Sequence, residues 1–452
     1  MSSPAPAQKP PAGQQPTEPE VPKNSRPEKP LNVLLLTVDA LRADMPWAGY
    51  DKPIAPHLSE LAKASVVYEN YRSVSSYTAQ TVATMMTGRY ASTLYRTGMF
   101  FTNYFESNDW ITESMQSQGI RTMAVHAHLY FDRAPGLKQG FDIYQMVPGL
   151  SWNSQTDESI TSHKSIPAMI KLLEDPKNTS GQFFMWAHLM DPHDGYTKHE
   201  ESPDFGDKNR GRYDSEVWYT DLWIGKLLDF AKKQSWWENT AVVISADHGE
   251  AFGEHGMYKH AFELWDVLAR VPLIVHAPGA LAKRIAEPRT HIDLAPTIVD
   301  LMKVQGPAGM QGASMAGEIY GDEPESREPI VLELAEDSNN PARRAIIVGD
   351  HKLIVFDTGW KKMLFDLRAD PAEENDLAEE QPEKVKQLLA QLDAYFEKLP
   401  VVRPFGGNKL RSGKIANGPK GPKEASRSEL ASPDAGLKGA TKADGAKAAP
   451  AN

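Results

Sequence analysis

In Ala241-Val-Val-Ile244-Ser-Ala-Asp247-His248-Gly249-Glu250-Ala-Phe-Gly-Glu254-His255-Gly256-Met-Tyr-Lys259-His260 an apolar run stops abruptly at Asp-His-Gly. Ala241 to Ile244 reads as a buried parallel strand. Its carboxyl end therefore carries a carboxylate and an imidazole side by side, at the sheet edge where open α/β folds bind ligands. Adjacent Asp and His, with His255 and His260 shortly after, are the residue types and spacing of a divalent-metal site. A polar surface loop is the plain alternative, and matching pieces elsewhere in the chain argue against it.

The first of these lies near the start. Leu31-Asn-Val-Leu-Leu-Leu-Thr-Val38 is nearly continuous in apolar residues, as expected of a central parallel strand covered on both faces. It runs into Asp39, so a second carboxylate sits at a strand tip. If the two strands are neighbours, Asp39, Asp247 and His248 converge on one point. Three such ligands leave positions open for a nucleophile and a substrate, the pattern of a catalytic rather than a structural ion. A strand-end Asp taken alone serves more often as a helix cap.

Between these strands the pattern alternates. Gly119–Val125, Gln182–Ala187 and Val271–His276 read as further strands, and His57–Ala64, Ile160–Leu173 and Glu216–Lys232 have helical spacing. The expectation is an α/β fold: a mostly parallel central sheet between helices. From Glu328 the texture changes to short strands at Ile330–Leu334, Arg344–Val348 and Lys352–Phe356, then an amphipathic helix at Pro382–Leu399. This predicts a small C-terminal antiparallel sheet plus helix. The division is 1–29, a Pro-rich disordered linker; 30–327, the catalytic domain; 328–405, an α+β subdomain; and 406–452, a disordered tail.

The chain has 452 residues, a formal net charge of −11, 40% hydrophobic residues and no cysteine. The acidic balance argues against nucleic acid as a partner. Thiolate ligands, disulfides and cysteine nucleophiles are excluded. No stretch reaches the roughly 18 apolar residues of a membrane span, and the N-terminus lacks the apolar core of a signal peptide. A membrane segment upstream of Met1 would place the protein at the cell envelope or periplasm; otherwise the expectation is cytoplasmic. Oligomeric state is not legible.

Taken in order, Val38-Asp-Ala-Leu-Arg42-Ala-Asp44, Thr87-Gly-Arg-Tyr90, His188-Leu-Met-Asp-Pro-His193-Asp194, Arg212-Tyr-Asp214-Ser-Glu216, Asp247-His-Gly-Glu250, His291-Ile-Asp293 and Leu364–Leu377 form a series. With this series the chain resembles the sulfatase family of the alkaline-phosphatase superfamily, from Leu31 to about Leu399. The resemblance implies an alkaline-phosphatase-like sheet and a metal-dependent ester hydrolase or transferase. It also exposes a departure. Sulfatases carry a Cys/Ser-x-Pro-x-Arg motif, whose first residue becomes formylglycine, shortly before the Thr-Gly. Here that position is Thr78, with Gln80 in the Pro place and Val82 in the Arg place.

Threonine at this point is similar to phosphoethanolamine transferases and lipoteichoic-acid synthases, in which a Thr activated by the ion attacks phosphorus. The resemblance thus makes Thr78 both nucleophile and fourth metal ligand, set at the start of a helix. A neighbouring hydroxyl, Ser75, Ser76 or Thr81, is the alternative. The resemblance also implies catalytic roles for His260 and His193, and substrate contacts for His188, His255 and His128. One ion is the expectation; two-metal relatives make a second one, at His188, Asp191 and His193, a minor alternative, and a reach of His126 into the pocket is a weaker one. Arg42, Asp44 and the run Asp366 to Asn375 read as structural. His248, where many sulfatases have Asn, and Ala40, where many have a second Asp, favour Mn²⁺ or Zn²⁺ over the harder Ca²⁺ or Mg²⁺.

The function these readings imply is cleavage or transfer of a phosphate mono- or diester through Thr78. The substrate would be an anionic ester of a lipid headgroup, a glycan or a small molecule. Two alternatives stay open: a sulfatase working without formylglycine, and a degenerate chain that binds an anion or a partner.

Overall fold

The computed structural model describes residues 24–405, apart from 149–151, 154–155, 158–160, 194 and 357–358. Most of the expected linker and the expected tail thus lie outside the described residues. The last linker residues do not: Arg26 pairs with Asp300 at 2.5 Å and the Ser25 amide donates to the Gly279 carbonyl. Residues 25 and 26 are thus already bonded to the domain.

In chain order the strands of the main sheet are β1 (Asn32–Val38), β2 (Val66–Tyr68), β3 (Arg121–His126), β4 (Ile143–Met146), β5 (Phe183–Leu189), β6 (Thr240–Ala246), β7 (Leu273–His276) and β8 (Lys283–Ile285). Their spatial order is β8-β2-β7-β6-β1-β5-β3-β4. β1 is parallel to both neighbours, with Val33 opposite Phe184 on one side and Ala241 on the other. All seven residues of β1, β5 and β6 are buried, which explains their unbroken apolar texture. β7, read from sequence simply as a strand, runs antiparallel to both β6 and β2.

Helices α1 (Pro56–Lys63), α2 (Thr78–Thr87), α3 (Ile111–Ser117), α4 (Ser162–Glu174), α5 (Asn209–Ala231) and α6 (Leu294–Leu301) surround this sheet. α2 is unusual in being buried at all ten residues while rich in Thr, a poor helix former. Its hydroxyls bond back onto the preceding turn, Thr81 to the Tyr77 carbonyl, Thr84 to that of Gln80 and Thr87 to that of Ala83. Buried polarity is thereby satisfied within the helix. Gly88 ends it at φ 65°, a left-handed cap that favours glycine.

The C-terminal sheet holds the three expected strands, β9 (Ile330–Leu334), β10 (Arg343–Val348) and β11 (His351–Phe356), and an unforeseen fourth, β12 (Lys361–Asp366). They pair antiparallel in chain order, and α7 (Pro382–Glu397) packs against them. Gln80 ties α2 to the C-terminal sheet just past β9: its side chain accepts from the Ala335 amide at 2.9 Å and donates to the Ala335 carbonyl at 3.0 Å. Among the described residues no helix is long and apolar enough to cross a membrane.

Candidate metal and ester site

The register of β1 against β6 brings Val38 level with Ala246, so Asp39 and Asp247 leave the sheet side by side. Asp247 Oδ1 accepts two amides, Ala40 N at 3.2 Å and His248 N at 2.9 Å. Its Oδ2 is buried with no hydrogen-bond partner, and so is Asp39 Oδ1. His248 Nδ1 lies 3.0 Å from the Gly249 carbonyl, which fixes the proton on Nδ1 and leaves the Nε2 lone pair free. Gly249 is required here, because a Cβ would meet the Val267 carbonyl oxygen at 2.2 Å.

Nε2 of His248 sits 3.3 Å from Asp247 Oδ2 and 3.7 Å from Asp39 Oδ1. Asp39, Asp247 and His248 can each offer one ligand atom within 4.8 Å of the others, and all three residues are buried. Two unpartnered carboxylate oxygens and an imidazole lone pair, all pure acceptors gathered away from water, fit a divalent cation. Left to themselves they would be costly to bury. The expected convergence of the two strand tips is therefore present.

Thr78 opens α2, and its Oγ1 lies 3.1 Å from His248 Nε2. The residue before it, Tyr77, makes no side-chain cap and its carbonyl takes the Gln80 and Thr81 amides, so the Thr78 and Ala79 amides are the ones placed to meet an anion. The alternative hydroxyls point elsewhere. Thr81 bonds to the Tyr77 and Thr78 carbonyls, Ser76 to the Glu263 carbonyl and Ser75 to Gln80 Oε1.

Four imidazoles form a row leading from this point. His260 stacks on His248 at 4.3 Å, His193 follows His260 at 5.0 Å, and His128 lies 6.5 Å beyond. His260 Nδ1 is 3.2 Å from both carboxylate oxygens of Glu250, a fully buried residue that sequence reasoning passed over. Burial opposes protonation of His260, but the Glu250 carboxylate outweighs it and pushes the ring up to about 9. Burial would likewise raise Asp39, yet His193, His188 and His248 hold its carboxyl well below the usual range. The signal for Glu250 was in plain view: an acid directly after Asp-His-Gly, with His260 next on the same loop.

Other histidines take different places from those expected. His188 is fully buried behind Asp39, its Nε2 3.1 Å from Asp39 Oδ2 and its Nδ1 2.8 Å from Thr37 Oγ1. It orients a carboxylate and does not face a substrate. His255 lies flat on Trp265, 3.8 Å away and 8° from parallel, in a cleft with Arg42, Arg72 and Asp266. His128 accepts the Tyr130 amide and caps the short helix Leu129–Arg133, touching the row only at its end. His126 is buried between Phe131 and Tyr144, and burial pushes it down to about 3. Among the described residues His188, Asp191 and His193 do not gather as a metal-holding group, and Asp191 Oδ2 accepts four bonds from Thr161 and Ser162. Arg42 and Asp44 pair with each other and form an ionic network with Glu254 and Arg210.

The family described as Sulfatase matches residues 31–304, and a second, N-sulphoglucosamine sulphohydrolase, C-terminal, matches 253–400. This chain belongs to the sulfatase family. An ulvan-active sulfatase of Formosa agariphila is 26% identical over 86% of this chain and 88% of its own length. A choline-sulfatase of Rhizobium meliloti is 29% identical over 38% of this chain and 33% of its own length. In fold, the phosphonate monoester hydrolase of Agrobacterium radiobacter superposes with a TM-score of 0.68 at 16% identity, covering 81% of this chain and 96% of that one. The family places the chain among hydrolases, and its alkaline-phosphatase-like architecture agrees with the sheet described above.

Proposed function

We propose that this sulfatase-family chain hydrolyses phosphorus esters, mono- or diesters, through Thr78. The observation that carries the reading is the Thr78 hydroxyl at the N-terminus of α2, 3.1 Å from His248 Nε2 and beside the two unpartnered carboxylate oxygens. Asp39, Asp247 and His248 would hold one divalent cation, with Thr78 Oγ1 as a fourth donor. When bound, it would supply the positive charge that lowers the hydroxyl's pKa and polarises the ester oxygens.

The remaining work falls to the chain's own groups. Thr78 Oγ1 attacks phosphorus, and the first amides of α2 receive the negative charge that builds on the equatorial oxygens. His260, protonated against Glu250, adds its charge on the same side. His193, the next ring in the row, gives the leaving alcohol its proton. Water then attacks the phosphorylated Thr78: its hydroxide joins phosphorus, its proton restores His193, and the released Thr78 oxygen regains from solvent the proton it gave up on attack.

Intact-mass analysis after incubation with a nitrophenyl phosphodiester tests this directly. The expected result is an adduct mapped to Thr78 with the mass of a phosphoryl group still bearing the second ester alcohol, with Thr78→Ala losing both adduct and turnover, at least ~10³-fold in rate. Full activity in that variant would refute the assignment. The relatives' names favour a second reading, sulfate-ester cleavage by the same residues. Turnover of nitrophenyl sulfate, with no turnover of phosphate or phosphonate esters, would select it.

A further inference from the structure

Large aromatic rings stand exposed on segments adjoining Thr78 and His260, and the reaction does not use them. Phe101 is 52% exposed and Phe262 43%. Phe100 lies between them, parallel to Phe262 at 6.1 Å and edge-on to Phe101 at 5.3 Å; its other neighbour is Tyr77, stacked at 4.3 Å. Tyr77 directly precedes Thr78, and Phe262 follows His260 by two positions, so both ends of the patch are joined covalently to the reacting groups.

The backbone under Phe262 carries the second observation. Lys259, Ala261 and Phe262 have φ of 69°, 66° and 64°, left-handed values that a bulky side chain strongly disfavours. Clamps on both sides enforce them. The Ala261 amide donates to the Ser76 carbonyl at 2.9 Å, and Ser76 Oγ donates to the Glu263 carbonyl at 2.5 Å. A strained position commonly serves to bury a ring. Here the ring stays half in water, so core packing does not offset the strain, and such strain gathers at ligand sites.

We infer that Phe100, Phe101 and Phe262 form the subsite for the alcohol portion of the ester, and that this alcohol is apolar, an aryl or alkyl group. A sugar would also need polar partners for its hydroxyls. Two nearby serines are committed within the protein: Ser338 Oγ accepts the Phe100 amide, and Ser76 Oγ donates to the Glu263 carbonyl. The exposed faces of Phe101 and Phe262 are ring surface, which rewards removal of apolar groups from water. The inference rests on the reading of Thr78 and its neighbours as an anion site.

Calorimetric titration of the full chain with Mn²⁺ present separates the two levels. Cyclohexylmethylphosphonate should bind at least ~10-fold tighter than methylphosphonate. That ratio should collapse in Phe101→Ala/Phe262→Ala and persist in Trp360→Ala, another exposed ring. n-Octylphosphonate distinguishes the source: binding tighter than the cyclohexylmethyl compound supports an alkyl chain, and weaker binding supports a compact ring. Phe262→Gly should raise the unfolding midpoint while lowering the ratio, whereas a merely structural ring would lower the midpoint. Equal binding of the methyl and cyclohexylmethyl compounds, or tighter binding of a glucose-derived phosphonate, would overturn the subsite and leave the anion site standing. Failure of every phosphonate to bind would overturn the anion site, and the subsite with it.

Discussion

His248 illustrates how one ring is prepared by its surroundings. Its Nδ1–H is tied to the Gly249 carbonyl, its backbone amide feeds Asp247 Oδ1, and only Nε2 is left for chemistry. Asp39 is held in the same manner by His188, whose orientation is set through Thr37 and the Trp186 indole N–H. The acceptors are thus arranged before any cation arrives, and binding should stabilise the fold by linkage. With Mn²⁺ at 100 times its dissociation constant the gain is about 2.7 kcal/mol. A rise of ~3 °C in the melting temperature should follow, reversed by chelator. Asp247→Asn should abolish the rise; an unchanged rise in that variant would remove Asp247 from the ligand set.

At the scale of elements, the turn that presents His193 hangs on Asp191. Its Oδ2 accepts the Thr161 and Ser162 amides at 2.8 and 2.9 Å and both hydroxyls at 3.1 and 3.0 Å, capping the start of α4. Thr220 of α5 donates to the Asp191 carbonyl, so the turn is fixed to two helices at once. Asp191→Ala should cost about 2–3 kcal/mol, from a lost cap and four stranded donors. In ester kinetics KM should rise more than kcat falls, because His193 is displaced while Thr78 is untouched. Equal loss in both constants would argue that Asp191 takes part in the chemistry. α2 shows the same economy: Gln80 and Val82 stand where the family motif has Pro and Arg, and the structure gives them other tasks. Gln80 secures the backbone of Ala335, and Val82 is buried apolar filling.

For the whole molecule, the junction between the two sheets turns on a buried ionic cluster. Arg72 holds Asp266 through two bonds at 3.1 and 2.7 Å, and Lys352 of β11 bridges Asp266 at 2.9 Å and Glu373 at 2.7 Å. Burial alone would raise Asp266, but Arg72 and Lys352 outweigh it and hold the carboxyl well below the usual range. The unfolded chain, with an ordinary Asp near 3.9, therefore binds more protons as the medium is acidified. The stabilisation is present above about pH 4 and is lost as pH falls toward the depressed value. Asp266→Asn leaves two buried cations poorly compensated and should cost about 3–5 kcal/mol at neutral pH. Urea unfolding should find this difference shrinking below about pH 4; a difference independent of pH would refute the assignment.

Much of this was legible without coordinates. The unbroken apolar runs of β1, β5 and β6 marked buried parallel strands, since only a strand covered on both faces tolerates that texture. Parallel strands deliver their carboxyl ends to one edge, so Asp39, Asp247 and His248 could be brought together from chain order alone. β12 was not separated from the turn that follows it, because Lys361-Lys-Met-Leu-Phe-Asp366 has only a short apolar core.

What a histidine does depends on what packs against its ring, and no local pattern encodes that. His188, His193, His255 and His260 look alike along the chain. Folding turns one toward Asp39, stacks another on Trp265 and aligns the other two with His248. The aromatic rim beside Thr78 is likewise assembled from segments far apart in sequence. Local periodicity therefore specified the strands and their tips, while ring orientation and the shape of the mouth arose from contacts that exist only in the folded chain.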